Sequence, residues 1–172
     1  MESAQVPWYR VDLGSAAQAA VAEALRAHRV TMGPLTERLE AGLAARLGVP
    51  HVVATSSGAA ALAVALWAAG VEPGDEVIVP GLSFIATAHA VQVVGARVRL
   101  ADVASDRPLL DVARLDALLG PRTRAVIPVH LGGRAVDMAP LLAWADARGL
   151  AVIEDAAQAL GSAGPLGLLG TL

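Results

Sequence analysis

From His51 onward, short runs rich in valine and isoleucine alternate with longer stretches of helical spacing, and that alternation leaves few folds open. The strand candidates are residues 51–54, 76–79, 97–101, 125–129 and 151–154. Between them lie helix candidates at 59–69, 85–94, 112–119 and 138–148. Gly70 and Gly149 stand where two of these helices would stop, and Asp111 and Asp137 are suited to cap the starts of the other pair. Val/Ile-rich strands separated by helices predict a mainly parallel sheet covered on both faces. The expected fold class is therefore α/β, a mainly parallel sheet with helices on both faces.

Two helices are expected before this pattern begins. Ser15 is placed to cap a helix over 16–28, with Val21, Leu25 and His28 on one side. Pro34 fits the first turn of a second, whose leucines at 35, 39, 43 and 47 recur every four residues before Gly48 ends it. After residue 160 the pattern stops: 161–172 has glycine at 161, 164, 167 and 170 and shows neither a strand nor a helix. The chain thus divides into a helical segment at 1–50, an α/β unit at 51–160 and a Gly/Leu-rich tail at 161–172.

Composition narrows the function classes. A length of 172 residues suits one domain with a sizeable core. Mean hydropathy is high, at +0.56, yet the longest small or apolar run, 59–71, falls short of the roughly 18–20 residues a membrane span needs. The first twelve residues carry no basic segment followed by an apolar one, so no secretory signal is read and the expected location is cytoplasmic. There are no cysteines, hence no disulfide framework and no thiolate metal site. Net charge is −3 with the basic residues scattered, which gives nucleic acid no basic stripe to bind.

In an open α/β sheet, ligands bind beyond the carboxyl ends of the strands, and four segments fall there. Ser57-Gly58-Ala59 opens a helix, where free amides and a close backbone approach suit an anion, although the same turn serves as a plain helix cap. Phe84, the only phenylalanine, can stack on a planar ligand or fill the core. His130 can touch a ligand or be a hydrogen-bonded structural imidazole. Glu154 and Asp155 end a buried strand, a costly position unless they are paired or solvated, and Gln158 follows one helical turn later.

Taken together, residues 31–34 (TMGP), 57–62 (SGAAAL), 74–80 (GDEVIVP), 83–88 (SFIATA), 123–132 (TRAVIPVHLG), 135–138 (AVDM) and 152–158 (VIEDAAQ) resemble, in order and spacing, the DegT/StrS family of nucleotide-sugar aminotransferases. That family lies within the aspartate-aminotransferase superfamily of pyridoxal-phosphate enzymes. The resemblance implies the large cofactor-binding domain of that fold and the cofactor pyridoxal 5'-phosphate. Asp155 would pair with the cofactor's pyridine nitrogen, Gln158 would contact its ring hydroxyl, and Phe84 would stack on the ring. Ser57, Gly58 and Ala59 would bind its phosphate, with Ala59 standing where the family more often has threonine. His130 falls in the same pattern as a substrate-contact candidate. No metal is implied.

The implied reaction is transfer of an amino group, from glutamate as donor, to a nucleotide-linked keto-sugar in polysaccharide or secondary-metabolite biosynthesis, by an enzyme that acts as a homodimer. The partners are then a nucleotide-sugar and an amino-acid donor, with no nucleic acid and no membrane. All thirteen basic side chains are arginine, and the chain contains no lysine. The Schiff-base lysine through which the family works is therefore absent, and arginine, always protonated, cannot replace it. The expectation is a truncated, N-terminal part of the family's chain, inactive alone, with the tail after about Ser162 departing from the family pattern. The alternatives are a fragment of a related sugar dehydratase, whose relatives carry histidine in place of the lysine, and a non-catalytic pseudoenzyme or partner subunit.

Overall fold

The computed structural model describes residues 10–172. The first part of the helical segment, and most of the stretch read for a secretory signal, lie outside the described residues. Helices α1 (Ser15–Arg26) and α2 (Pro34–Leu47) come first. Gly14 rather than Ser15 caps α1, with no side-chain cap, and the helix ends two residues before His28, which adopts φ 53°. The start of α2 at Pro34 and its left-handed stop at Gly48 follow the sequence reading. Its leucine stripe does not find a core, since neither helix has a buried residue and Leu35 and Leu39 are exposed.

Four parallel strands form the sheet in the order β2-β1-β3-β4, with β1 at Glu76–Pro80, β2 at Arg97–Ala101, β3 at Thr123–Val126 and β4 at Ala151–Val152. The expected strand at 51–54 does not form. Its backbone pairs with no strand among the described residues, and the amide of Ala54 donates instead to Glu40 Oε1 on α2 at 2.8 Å. An apolar run becomes a strand only where a neighbouring edge can take its backbone groups.

Helices α3 (Gly58–Ala68) and α4 (Ala86–Val93) cover one face of the sheet. A 3-10 helix (Val112–Leu118) and α5 (Met138–Asp146) cover the other. Strand alternation divides the core between them: Val77 and Val79 point into the α3/α4 side with Leu66, Val91 and Ile127, whereas Ile78 points to the side of Leu115, Val126 and Leu141. Each of these large side chains, fully buried, contributes about 1.5–3 kcal/mol. Replacing Ile78 with valine removes one methyl from the centre of the second cluster. Urea denaturation should show a loss of about 0.5–1.5 kcal/mol.

Residues 112–119, expected as an α-helix, wind as the tighter 3-10 form, with Asp111 Oδ1 accepting from the amide of Ala113 at 3.2 Å. The tail is also more ordered than its composition suggests. Two-residue strands β5 (Ala163–Gly164) and β6 (Gly167–Leu168) pair as an antiparallel hairpin, which corrects the reading that no strand lies there. Leu169 behind it is buried, and the following residues dock on the end of the sheet.

From β1 the chain passes to β2 on one side and then crosses back to β3 on the other. The connections therefore diverge between β1 and β3, and a crevice opens beyond their carboxyl ends.

Candidate active site

Beyond the formal end of β4 the pairing continues as a single parallel bridge between Val129 and Asp155. The amide of His130 donates to the carbonyl of Asp155 at 3.0 Å, and that of Asp155 to Pro128 at 2.9 Å. Because extended residues alternate sides, this register sends 129 and 155 one way and 130 and 154 the other. Val129 and Asp155 line a cavity of about 310 Å³ at the crevice. Ser57, Gly58 and Ala59 from the start of α3, Phe84 from the end of the β1 loop, and Gln158 line the same cavity.

Each wall has a local cause. Ser57 caps α3 in extended conformation, its Oγ accepting from the amide of Ala60 at 3.1 Å and its carbonyl from Ala61 at 3.0 Å. The first amides of a helix have no intrahelical acceptor, so those of Gly58 and Ala59 are available to an anion, favoured by the helix dipole. None of the residues lining the cavity is cationic, so this helix start is its anion-attracting end. Phe84, 70 % exposed, presents an uncovered ring and is not a core filler. The amide of Gly132, in a left-handed turn at φ 63°, donates to Gln158 Oε1 at 2.8 Å. That bond fixes the orientation of the side-chain amide and leaves the Gln158 –NH2 group as a donor.

Asp155 is held at both oxygens. Oδ1 accepts from the amide of Ala157 at 3.2 Å, and Oδ2 from the hydroxyl of Thr87 at 2.7 Å. Thr87, on the first turn of α4 and only 1 % exposed, lies 3.0 Å from Ser83 Oγ, and Ser83 lines the cavity. The sequence reading missed both hydroxyls, which lie on either side of the start of α4.

His130 is not among the cavity-lining residues. It is fully buried, and its Nε2 lies 2.8 Å from Glu154 Oε2, while its Nδ1 accepts from the amide of Val136 at 3.1 Å. An accepting Nδ1 places the proton on Nε2, which donates to Glu154. Of the two readings the sequence left open, the geometry is that of a hydrogen-bonded structural imidazole. Glu154 also takes the amides of Gly170 at 3.1 Å and Leu172 at 2.8 Å. Burial pushes its carboxyl up, but the bonds from His130, Leu172 and Gly170 outweigh that and hold it below the usual glutamate range.

An anion-binding helix start, an uncovered aromatic ring, a doubly held carboxylate and an oriented amide donor therefore share one cavity. Together they suit a flat ligand that carries an anionic group and polar ring atoms.

Comparison with known proteins gives a consistent result. The model of the DegT/DnrJ/EryC1/StrS aminotransferase family matches residues 11–165. GDP-perosamine synthase of Caulobacter vibrioides is 46 % identical over 132 residues, which is 77 % of this chain and 36 % of that protein. The crystal structure of DesV from S. venezuelae superposes with a TM-score of 0.81 at 44 % identity, covering 84 % of this chain and 39 % of DesV. NtdA from Bacillus subtilis, solved with its cofactor PMP bound, also gives 0.81, at 37 % identity over 84 % of this chain and 33 % of its own. The chain spans 36 % of the synthase, 39 % of DesV and 33 % of NtdA.

Proposed function

The chain belongs to the DegT/DnrJ/EryC1/StrS aminotransferase family, and from that premise we propose that its cavity holds the ring of pyridoxal phosphate or pyridoxamine phosphate. The observation that carries this reading is the convergence of Ser57–Ala59, Phe84, Asp155 and Gln158 on one cavity at the crevice of a parallel sheet. In this reading the helix start of α3 binds the phosphate through amides, and Ser57 retains a hydroxyl proton to add to them. Phe84 covers one face of the ring. Asp155 accepts from the pyridine nitrogen with the lone pairs that Thr87 and Ala157 leave free. Gln158, turned by Gly132, donates to the ring oxygen. Once bound, the cofactor supplies the electron sink through which an amino group passes between an amino acid and a carbonyl acceptor.

We assign the parent activity as amino transfer, with glutamate as donor, to a nucleotide-linked keto-sugar, carried out in the cytoplasm by a homodimer. The names of the relatives support the sugar assignment. With no lysine among its 172 residues, the chain supplies the non-covalent half of the site. The amine that would bind the aldehyde comes from outside these residues, and the chain alone does not turn over.

Calorimetric titration with pyridoxamine phosphate, which needs no covalent partner, tests the reading. Measurable binding is expected, and it should weaken in Gln158→Glu by roughly tenfold. There one carboxylate oxygen would keep the Gly132 amide and the other would face the ring oxygen as a like charge. Borohydride treatment in the presence of pyridoxal phosphate should leave no side chain carrying the ring. Failure of the chain to bind pyridoxamine phosphate, or binding indifferent to residue 158, would refute the assignment.

A further inference from the structure

The hydroxyls of Ser83 and Thr87 form a one-way chain to the carboxylate of Asp155. Thr87 has a single hydroxyl proton, and at 2.7 Å from Asp155 Oδ2 that proton is committed to the carboxylate, which only accepts. The contact between Ser83 Oγ and Thr87 Oγ1 at 3.0 Å, ambiguous by distance alone, must then run with Ser83 as donor. Three groups from two separate parts of the chain, 68 residues apart at the Thr87–Asp155 link, are thus ordered in one direction and end on the cavity.

Without this chain the carboxylate would keep one hydrogen bond within the protein, to the Ala157 amide at the longer distance of 3.2 Å. It could then rotate about its last torsion, which is broad for an aspartate. With Thr87 in place both oxygens are fixed. Thr87 is itself locked, buried on the first turn of α4 and bonded on both sides. Hydrogen bonds in series also polarise one another, so a donor behind Thr87 strengthens the bond it makes.

We propose that Thr87, backed by Ser83, is the positioning residue that holds the Asp155 carboxylate in the one orientation from which it can accept from a ring N–H in the cavity. The proposal rests on the cofactor assignment above, and it adds two residues that touch no reacting atom themselves and act through Asp155. It accounts for the close clustering of hydroxyls at 83 and 87, which the core does not require.

The test uses the whole chain and pyridoxamine phosphate carrying 15N in its ring. Affinity is read by calorimetry and ring-nitrogen protonation by the 15N resonance. Thr87→Val keeps the shape and removes the hydroxyl, and binding should weaken about tenfold, with the 15N signal moving toward that of the unprotonated ring. Thr87→Ser restores the donor and should return both readouts to within about threefold of the original affinity. Ser83→Ala, which leaves the Thr87–Asp155 bond in place, should give a smaller shift in the same direction, and it stands in if the valine variant does not fold.

A purely structural role would lower the thermal stability of the valine variant yet leave the 15N signal of the bound ligand unmoved, which would overturn the proposal. Unaltered binding by Thr87→Val, with the parent chain binding normally, would overturn this inference alone. Absence of binding by the parent chain would overturn it together with the cofactor assignment.

Discussion

Replacing Glu154 with alanine should cost about 2–4 kcal/mol of stability, an effect set by what it leaves behind more than by what it removes. The Glu154 side chain is 4 % exposed and takes three hydrogen bonds, from His130, Gly170 and Leu172. Without it, the Nε2–H of a fully buried imidazole has no acceptor and the tail loses both anchoring amides. For a chain of this size the melting temperature should fall by roughly 4–16 °C. The amides of residues 170 and 172 should lose protection from hydrogen exchange. Gly170 belongs to this anchor for a second reason. It sits at φ 83°, and a Cβ there would lie 2.8 Å from Cβ of Ala156, beside the Asp155 turn.

The same residue gives the chain a pH signature. The folded-state pKa of Glu154 is depressed, so its contribution is present above the unfolded value of about 4.3 and is lost as pH falls through the lower folded value. Stability measured by denaturant should therefore decline with acid below about pH 4. Glu154→Gln should lack that part of the slope while being less stable at neutral pH. If both proteins lost stability in parallel, the pairing with His130 and the tail would not be the source.

The second large effect is expected at Asp155. Asp155→Ala should weaken pyridoxamine phosphate binding by about 2 kcal/mol or more, roughly 30-fold, because the ring nitrogen would lose a charged acceptor in a partly desolvated site. Asp155→Asn separates charge from shape. Both oxygens of Asp155 accept in the folded chain, so an amide that turns its –NH2 toward Ala157 loses that bond, and one that turns it toward Thr87 must reverse the direction of the Ser83–Thr87 hydroxyl chain. It should bind the ligand nearly as weakly as the alanine variant while keeping more of the fold's stability. Calorimetry and thermal denaturation on the two variants decide this, and an asparagine variant with full affinity would mean that the carboxylate does not face the ring nitrogen.

The sheet was legible because its central strand β1 is apolar on both faces. Val77, Ile78 and Val79 are buried in succession, and only a sheet covered on both sides makes such a run favourable. Residues 51–54 misled for the same reason, since apolar content says nothing of whether an edge is available. The cavity walls at 84, 155 and 158 were legible as turns at strand ends and as matches to a family pattern, whereas 57–59, expected at the end of a strand that does not form, were legible only as a helix start and a family match.

What was not legible was pairing across the chain. His130 and Glu154 were each noted, the second as costly unless paired, but their meeting depends on the register of 129 with 155. Thr87 was hidden inside a segment read for its phenylalanine, and its partner lies 68 residues away. The hairpin at 163–168 rests on two bridged pairs and on Leu169 finding a buried place, which glycine spacing does not announce.

The most direct measurement is a crystal structure of this chain with pyridoxamine phosphate. The account predicts an Asp155 carboxylate oxygen about 2.7–2.9 Å from the pyridine nitrogen, the Phe84 ring against one face of the ligand, and the phosphate at the amides of residues 58 and 59. A ligand seated in this cavity with its nitrogen turned away from Asp155, or bound elsewhere on the chain, would contradict it.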